Sequence, residues 1–474
     1  MPNPAVIRIL LLLLFPSTCV LAQKMLPSAA VPGMIDSIHQ RIVDLHPFAF
    51  ETAGVAALEV ARTQVQGEVS GLLDARDSLS LLDFKRLTAP LQEVTQCGHL
   101  VLEPFYDSLT YVAIAENFYP LALTPVDDGR YLLKKGLRTT TDSLPPGTQL
   151  TTLEGRPIGE LIEEFSYFAG LNDRGNKAAS RAGAASGLAS HYQRYYGLRD
   201  SLHLTADGRK YVLKPRHRPF SNPKKSPQNI HDWLSFRLTE DGQTGILRIK
   251  KFSDYEFYNG SYFRFIRKTF DSLRTAGIDQ LIIDIRGNGG GSNRRIKYLF
   301  AFLTNKKFQF SSDARLTGPA KAEPGEEDKI TRLRARGAAT KSERYIQREL
   351  TKKTRPRKAD QRYTGRVVVL IDHLTFSASG MFARYVQGSG RGKLVGTTAG
   401  AAAGTTYGGR LNALPFYVGP EKAFELRVNT ISLQLPYPIA GNVTPDVVVP
   451  VTETGLRNGV DEQMEAARRI VADK

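Results

Sequence analysis

The segment 367–386, VVVLIDHLTFSASGMFARYV, contains Ser377 at the point where an apolar strand gives way to a predicted helix. A serine on such a turn can attack a carbonyl carbon, while the N–H of Ala378 stabilises the oxyanion that forms. A serine or threonine before a helix is also typical of an N-cap, a role open to Ser377, Ser379 and Thr375. The turn is therefore a candidate nucleophile site, with a helix cap as the alternative interpretation.

A second turn, IDIRGNGGGSN, follows another apolar strand and contains Gly287, Gly289, Gly290 and Gly291. Glycines let the backbone turn sharply and present N–H groups to an anion. The segment departs from a dinucleotide-binding fingerprint because Ser292 stands at the sixth position and no acidic residue follows about 20 positions later. We interpret it as an anion-holding turn, with a purely structural glycine turn as the alternative.

A nucleophilic serine needs a general base, and the sequence offers eight histidines. His99 lies in CGHLVL, where Gly98 allows a close approach of the backbone and the predicted strand that follows would fix the ring. His373 is nearer to Ser377 in sequence, but we expect it to point away from the end of its strand. His99 is therefore the candidate base, and His373 is the alternative.

The N-terminus has the pattern of a secretory signal, with Arg8, an apolar run and small residues at Val20 and Ala22. We expect cleavage after Ala22, which makes residues 1–22 a signal peptide and sends the protein to the periplasm or the cell surface. Pro16 stands where a lipid-attachment signal prefers leucine, so we do not expect a lipid anchor. Elsewhere the sequence lacks a run of about 18 apolar residues, so we expect no membrane-spanning segment.

Cysteine and charge content narrow the class of protein further. Removal of the signal would leave Cys97 without a disulfide partner, and a lone cysteine is typically a small buried hydrophobe.

The net charge is +17, and the segment from about 306 to 366 holds 18 basic and 8 acidic residues, a local net of +10. Aromatic residues are sparse there and export argues against nucleic acid, so we predict a solvated basic insertion that faces acidic substrates or an anionic envelope.

Hydrophobic periodicity divides the rest of the chain. Apolar residues at three- and four-residue spacing predict a helical region over 23–96. Residues 97–215 are rich in predicted strands, and LPPGTQLTTLEGRPIGELIEEF predicts a turn, a strand, a Glu-Gly hairpin and a helix, an order found in PDZ-like peptide-binding domains. A Pro-rich linker is predicted at 216–232. Residues 233–474 alternate buried strands with helices, which predicts an α/β core.

Taken together, LIIDIRGNGGG, VVVLIDHLTFSASGMFA, KLVGTTAG and VTPDVVVPVT resemble, in this order, the motifs of carboxyl-terminal-processing and tricorn-type serine peptidases. The upstream CGHL resembles the GH segment of the tricorn-type branch, and NGVDEQMEAARRIV resembles the closing helix of the family. The resemblance implies a crotonase-like (ClpP-like) α/β catalytic core, with a PDZ-like β-rich domain and an N-terminal helical region.

The resemblance also assigns roles to individual residues. Ser377 would be the nucleophile and His99 the general base. The N–H groups of Ala378 and Gly290 would form the oxyanion hole, and Gly289 is the neighbouring alternative donor.

This sequence departs from the family pattern at three places. The lysine base of the processing branch corresponds to Ala401, which excludes a Ser–Lys dyad of that type and favours a Ser–His pair. Many relatives carry glutamate one residue after the second serine, where this chain has Gly380. The acid that orients the base is also missing from its usual place, so Asp446 is the candidate and Glu425 the alternative.

These observations predict an exported serine endopeptidase that hydrolyses peptide bonds in protein or peptide substrates through an acyl-enzyme. The alternative is a non-catalytic protein of the same fold that binds peptides or lipophilic ligands. We expect no cofactor, no metal and no nucleic-acid partner, and the oligomeric state does not follow from the sequence.

Overall fold

The structure is a computed structural model of the chain. It describes residues 25–74, 76–106, 113–126, 128–167, 173–217, 230–252, 261–317, 339–408 and 413–473. The predicted signal peptide and residues 318–338 of the predicted basic insertion therefore lie outside the described residues. Within the described residues, no helix is both long and apolar enough to cross a membrane.

Helices dominate the described chain before residue 97. Apolar residues at helical spacing form the buried faces of the helices Val31–Leu45, Gly54–Leu73, Leu81–Leu87 and Ala89–Glu93. The 3-10 turns are Ser28–Ala30 and Pro47–Phe50, and strand Met25–Pro27 pairs with Ser78–Ser80. The helices pack against a sheet built from Ala413–Val418, Phe424–Asn429 and Val101–Pro104, in that order. Strand Val101–Pro104, at the start of the predicted β-rich region, thus pairs with a strand from the C-terminal half of the chain.

The middle of the chain has its own hydrophobic core. Its antiparallel sheet has the order Arg156–Pro157, Leu150–Leu153, Leu202–Ala206, Arg209–Leu213. The helices are Ile158–Ser166, Lys177–Ser186 and Leu188–Tyr196, and the short strands are Asn117–Phe118, Leu123–Pro125, Tyr131–Leu133, Leu137–Arg138, Ser143–Leu144 and Arg216–His217. The predicted two-residue hairpin is confirmed, because Glu154 and Gly155 both have positive φ between the paired strands. The PDZ-like character of the region stays a prediction.

The C-terminal half is built on a mostly parallel sheet, whose six described strands run Leu234–Leu238, Thr244–Ile249, Gln280–Asp284, Arg366–Ile371, Lys393–Gly396, Val447–Val448. Only the first pair is antiparallel. Alternate residues face opposite sides, as a strand period of two requires, so Leu281 and Ile283 join one core cluster while Ile282 joins another. Because both faces are covered, these strands read as continuous apolar runs. The predicted α/β core is confirmed.

The helices Ser261–Thr275, Asn293–Phe300, Ala378–Gly388, Glu453–Asn458 and Glu462–Ala472 accompany this sheet. A smaller sheet has the order Asp313–Leu316, Ile431–Gln434, Thr405–Tyr407. The parallel strands place their carboxyl ends, and hence the glycine turn and the serine turn, along one edge. Both candidate turns therefore lie next to each other.

The described parts of the predicted basic insertion differ from the expected solvated segment. Helix Ala339–Thr351 contacts strand Asp313–Leu316. Phe308, Phe310 and Tyr363 are buried in the main core cluster together with Ile346 and Leu350. The expectation rested mainly on charge and on the small number of aromatic residues, and it missed that apolar residues spaced between the basic ones anchor the segment to the core.

Candidate active site

Ser377 occupies a strained turn between strand Arg366–Ile371 and helix Ala378–Gly388. Its backbone has φ 53° and ψ −127°, a conformation that is costly for a residue with a Cβ. Although Ser377 stands at the N-cap position, its side chain makes no capping hydrogen bond. The structure therefore rules out the cap interpretation for this residue and leaves a partly exposed hydroxyl on a strand–turn–helix element.

Hydrogen bonds join the serine turn to the glycine turn. Asp372 Oδ1 accepts from the N–H of Gly287 at 2.8 Å and from the N–H of Leu374 at 3.1 Å. The N–H of Phe376 donates to the carbonyl of Asn288 at 3.1 Å. The two turns, which are about 90 residues apart in sequence, thus behave as one rigid unit at the sheet edge.

Gly290 fits against the serine turn only because it lacks a side chain. Its φ is 101°, and a Cβ there would lie 2.8 Å from Ser377 Cβ and 2.9 Å from the backbone nitrogen of Ala378. The N–H of Gly290, however, donates to Asn288 Oδ1 at 2.9 Å. Asn288 is fully buried and its Nδ2 donates to the carbonyl of Ile249 at 3.0 Å. The structure therefore corrects the prediction for Gly290, which shapes the pocket while its N–H is already engaged.

The other predicted oxyanion donors lie on either side of this contact. Ala378 is the first residue of its helix, so its N–H has no acceptor within the helix. Gly289 is exposed at the tip of the glycine turn. Their roles as donors stay predictions.

His99 comes to the serine turn from the opposite end of the chain. The strand Val101–Pro104 that follows it pairs with Phe424–Asn429 and fixes its position. Its side chain is buried, and its ring lies on that of Phe376, with the centroids 4.4 Å apart and the planes inclined by 33°. The structure thus brings the candidate base against the residue that immediately precedes Ser377.

The carboxylate beside His99 is Asp173, which sequence reasoning missed. Its Oδ1 lies 3.8 Å from His99 Nδ1 and accepts from the N–H of Gly98 at 3.0 Å. Its Oδ2 accepts from the N–H of Ala402 at 3.3 Å and from Thr406 Oγ1 at 3.1 Å. Asp173 is 1 % exposed. A buried carboxylate with three donors is rigidly held, and it ties the His99 loop to the segment that follows strand Lys393–Gly396.

The two acids proposed from sequence are engaged elsewhere. Asp446 accepts from Gln387 Nε2 at 2.8 Å and from the N–H of Leu394 at 2.7 Å. Glu425 accepts from Arg427 Nε at 2.6 Å. The structure therefore places Asp173 beside His99, whereas Asp446, the acid predicted from the sequence, bonds Gln387 and Leu394. The only local sign of Asp173 is a turn-like Asn-Asp-Arg-Gly sequence, which says nothing about its distant partners.

Two of the positions at which the sequence departs from the processing branch, Ala401 and Gly380, lie against each other in the structure. Ala401 is buried, and a Cβ on Gly380 would lie 2.0 Å from Ala401 Cβ. The two positions at which relatives carry lysine and glutamate are therefore in contact here, and both are small. His373, the alternative base, is held by a 2.8 Å hydrogen bond from Nδ1 to the carbonyl of Thr398.

His46 and Cys97 are two further titratable groups close to His99. Burial, assisted by the charge of His99, lowers the pKa of His46 to about 3, so this ring is neutral at physiological pH. Its Nδ1 accepts from the N–H of Phe48 at 3.2 Å. Burial and then the charge of Asp173 raise the pKa of Cys97 to about 12. Cys97 is therefore a protonated thiol and not a nucleophile.

A cavity of about 500 Å³ opens beside the serine turn. Asp372, His373 and Leu374 line it from the edge of the core sheet, and Leu123 and Pro125 line it from the middle region. A space of this size between two structural units is a common place for a substrate, but Ser377 and His99 do not line this cavity.

Comparison with known proteins agrees with this architecture. The region 243–449 matches the model of peptidase family S41. The crystal structure of mature CPAF is 15% identical and superposes with a TM-score of 0.62, covering 94% of this chain and 96% of that one. The structure of mature CPAF complexed with lactacystin has the same identity and TM-score and covers 94% of this chain and 98% of that one. The photosystem II D1 C-terminal processing protease is 13% identical, with coverage of 94% and 98% and a TM-score of 0.42. No curated protein matches the chain.

The likeness to mature CPAF shows a shared fold, which confirms the predicted fold class. The family match spans the glycine turn, the serine turn and the last strand of the core sheet. Residues 243–449 therefore match peptidase family S41, and the protein is a serine-type peptidase with protein or peptide substrates.

Proposed function

We propose that this peptidase is an exported endopeptidase that cleaves peptide bonds through an acyl-enzyme on Ser377, with His99 as general base. The observation that carries the proposal is the contact of the His99 ring with Phe376, at 4.4 Å between centroids, beside a serine whose hydroxyl caps no helix. Proton transfer needs a base within hydrogen-bond reach of the nucleophile, and the ring contact places His99 next to the turn that carries Ser377.

The proposed reaction has two halves. His99 takes the proton of Ser377 as the oxygen attacks the substrate carbonyl, and the oxyanion is held by the N–H of Ala378, with that of Gly289 as second donor. Protonated His99 then gives its proton to the leaving amine, which breaks the peptide bond. Water, deprotonated by His99, attacks the ester; as the ester bond breaks, His99 returns that proton to the Ser377 oxygen and the acid is released. One oxyanion donor is worth roughly 100–1,000-fold in rate.

Asp173 is the group that orients His99 in this proposal. Its negative charge favours the protonated imidazole that forms in each half-reaction. Its three hydrogen-bond donors keep it fixed while that charge develops. The Oδ1–Nδ1 distance of 3.8 Å shortens to a hydrogen bond when substrate is present, since catalytic contacts are often loose without it.

A serine-reactive fluorophosphonate probe tests the nucleophile. We expect the wild-type protein to be labelled and to cleave an unfolded protein, and Ser377→Ala to lose both. Ser389→Ala is the matched control, because Ser389 is an exposed serine at the other end of the same helix. Equal labelling of the wild type and Ser377→Ala would reject the mechanism, as would a wild type that is neither labelled nor active.

A pair of histidine variants tests the base. We expect His99→Ala to lower kcat by about 100-fold to 10,000-fold, the usual contribution of a general base. His373→Ala serves as the control, since its ring is committed to the carbonyl of Thr398. Full activity in His99→Ala, with loss in His373→Ala, would transfer the role to His373.

Export is proposed from residues 1–22 alone. The N-terminus of the protein recovered from its native cells is expected at Gln23. A recovered chain that still begins at Met1 would reject this part of the proposal.

A further inference from the structure

Three side chains with metal-binding atoms converge at the candidate base. Among the residues that the structure describes, the ligand atoms of Cys97, His99 and Asp173 all lie within 4.8 Å of one another. All three side chains are buried, and they come from two segments about 75 residues apart. Sulfur, imidazole nitrogen and carboxylate oxygen are the ligand types that Zn²⁺ takes in proteins.

One edge of the cluster, from His99 to Asp173, is close to that of a tetrahedral zinc site, and the pairs that involve Cys97 lie within 4.8 Å. Zn–S, Zn–N and Zn–O distances of about 2.3, 2.0 and 2.1 Å place ligand atoms about 3.3–3.6 Å apart. His99 Nδ1 and Asp173 Oδ1 are 3.8 Å apart, which is longer than a hydrogen bond but within a few tenths of an ångström of that edge. An ion between the two atoms therefore needs only a small contraction.

Charge and surroundings also favour a divalent cation. The negative charge of Asp173 would be offset by an ion, which would also stabilise the thiolate of Cys97 as its ligand. One thiolate, one carboxylate and one Zn²⁺ sum to zero charge, which suits a buried site. Asn429 Nδ2 lies 3.7 Å from Cys97 Sγ and the N–H of Gly98 holds Asp173 Oδ1, so outer donors already orient two of the ligands.

We propose that Cys97, His99 and Asp173 form a Zn²⁺ site and that the bound ion holds the peptidase inactive. Binding forms a sulfur–zinc bond and releases the Cys97 proton to water. A neutral imidazole has one lone pair, so once zinc takes it the other ring nitrogen carries hydrogen and His99 cannot accept the Ser377 proton. The inhibitory role rests on the proposed function of His99, whereas the binding of the ion does not.

The binding test uses the full chain with Cys19→Ser, so that Cys97 is its only cysteine. Titration of the reduced protein with Co²⁺ should give a sulfur-to-cobalt charge-transfer band that saturates at one ion per chain, and Zn²⁺ should abolish it. Adding Cys97→Ala should remove the band. Absence of the band in the single-cysteine protein overturns the site, and this readout requires no variant of the cluster to fold.

The inhibition test measures fluorophosphonate labelling of the same protein. Labelling should be full with a chelator, blocked by Zn²⁺ and unaffected by Mg²⁺, which avoids thiolate and imidazole ligands. Cys97→Ala should still be labelled and should need at least about tenfold more Zn²⁺ for the same block. The control His203→Ala, which removes an exposed histidine paired with Glu154, should leave the zinc sensitivity unchanged.

The two readouts separate the two proposals. The inhibitory role is overturned if the cobalt band is present but labelling is either unaffected by Zn²⁺ or dependent on it. If labelling is absent even with a chelator, the proposed mechanism fails, and the cobalt band then decides the metal site by itself.

Discussion

The ring of His99 lies on the ring of Phe376, 4.4 Å between centroids, although the two residues are separated by most of the chain. Phe376 is itself tied to the glycine turn, because its N–H donates to the carbonyl of Asn288. His99, the serine turn and the glycine turn are therefore positioned by one set of contacts. Changes at any of them should act on the rate of acylation.

Replacing Asp173 tests its role in orienting His99. We expect Asp173→Asn to lower kcat by about 100-fold. Because the carboxylate stabilises protonated His99, the acid limb of the kcat/KM profile should also move to lower pH. Asp446→Asn is the control, since Asp446 bonds Gln387 and Leu394 instead. An unshifted acid limb in Asp173→Asn, or equal losses in both variants, would contradict the assignment.

Adding one methyl group at Gly290 tests the fit of the two turns. In Gly290→Ala the Cβ would lie 2.8 Å from Ser377 Cβ, so the hydroxyl must move, and a displacement of this kind costs about 100-fold in rate. Gly287→Ala is the control, because Gly287 also has positive φ but its Cβ would meet nothing within 4 Å. The measurement is the rate of fluorophosphonate labelling, and similar rates in the two variants would show that the contact is unimportant.

Because Gly380 lies against Ala401, replacing Gly380 by alanine should destabilise the protein, which is the opposite of the usual effect in a helix. Alanine usually stabilises a helix relative to glycine by about 0.5–1 kcal/mol, and Gly67→Ala, where the Cβ meets nothing, should do so. Gly380→Ala should instead lower the free energy of unfolding by about 1–3 kcal/mol, because its Cβ would lie 2.0 Å from Ala401 Cβ. Urea unfolding of both variants measures the difference, and stabilisation by both would show that the site can relax.

The buried His46 predicts a loss of stability in mild acid. Its pKa falls to about 3 in the folded protein, whereas the unfolded chain takes up the proton near pH 6.5. The folded state is thus disfavoured progressively as the pH falls from about 6.5 towards 3, by about 2 kcal/mol at pH 5 for this residue.

His46→Asn isolates this contribution. Asparagine keeps an acceptor for the N–H of Phe48 but does not titrate. The difference in unfolding free energy between pH 7.5 and pH 5, measured in urea, should shrink by about 2 kcal/mol in the variant. The same difference in the variant as in the wild type would mean that other groups, such as His191, whose pKa is also lowered to about 4 by desolvation, account for the acid sensitivity.

The candidate nucleophile and the glycine turn were visible in the sequence because their signals are local. An apolar run followed by a small-residue turn predicts a buried strand and a sharp exit, and both strands and turns formed where the pattern placed them. His99 carried a weaker local signal, a glycine before it and a strand after it. Its role followed only from the order of motifs along the chain.

The tertiary structure alone decided which carboxylate faces His99, where the Gly290 N–H is directed and how the basic insertion is anchored. Asp173 reaches Gly98, Ala402 and Thr406 across long stretches of chain, and such contacts leave no periodic pattern around any of the four residues. These contacts arise where different parts of the fold pack together, and that packing depends on the shapes of all the surfaces involved. Local patterns therefore determined the elements and their turns, and the packing of distant elements determined the constellation that can do chemistry.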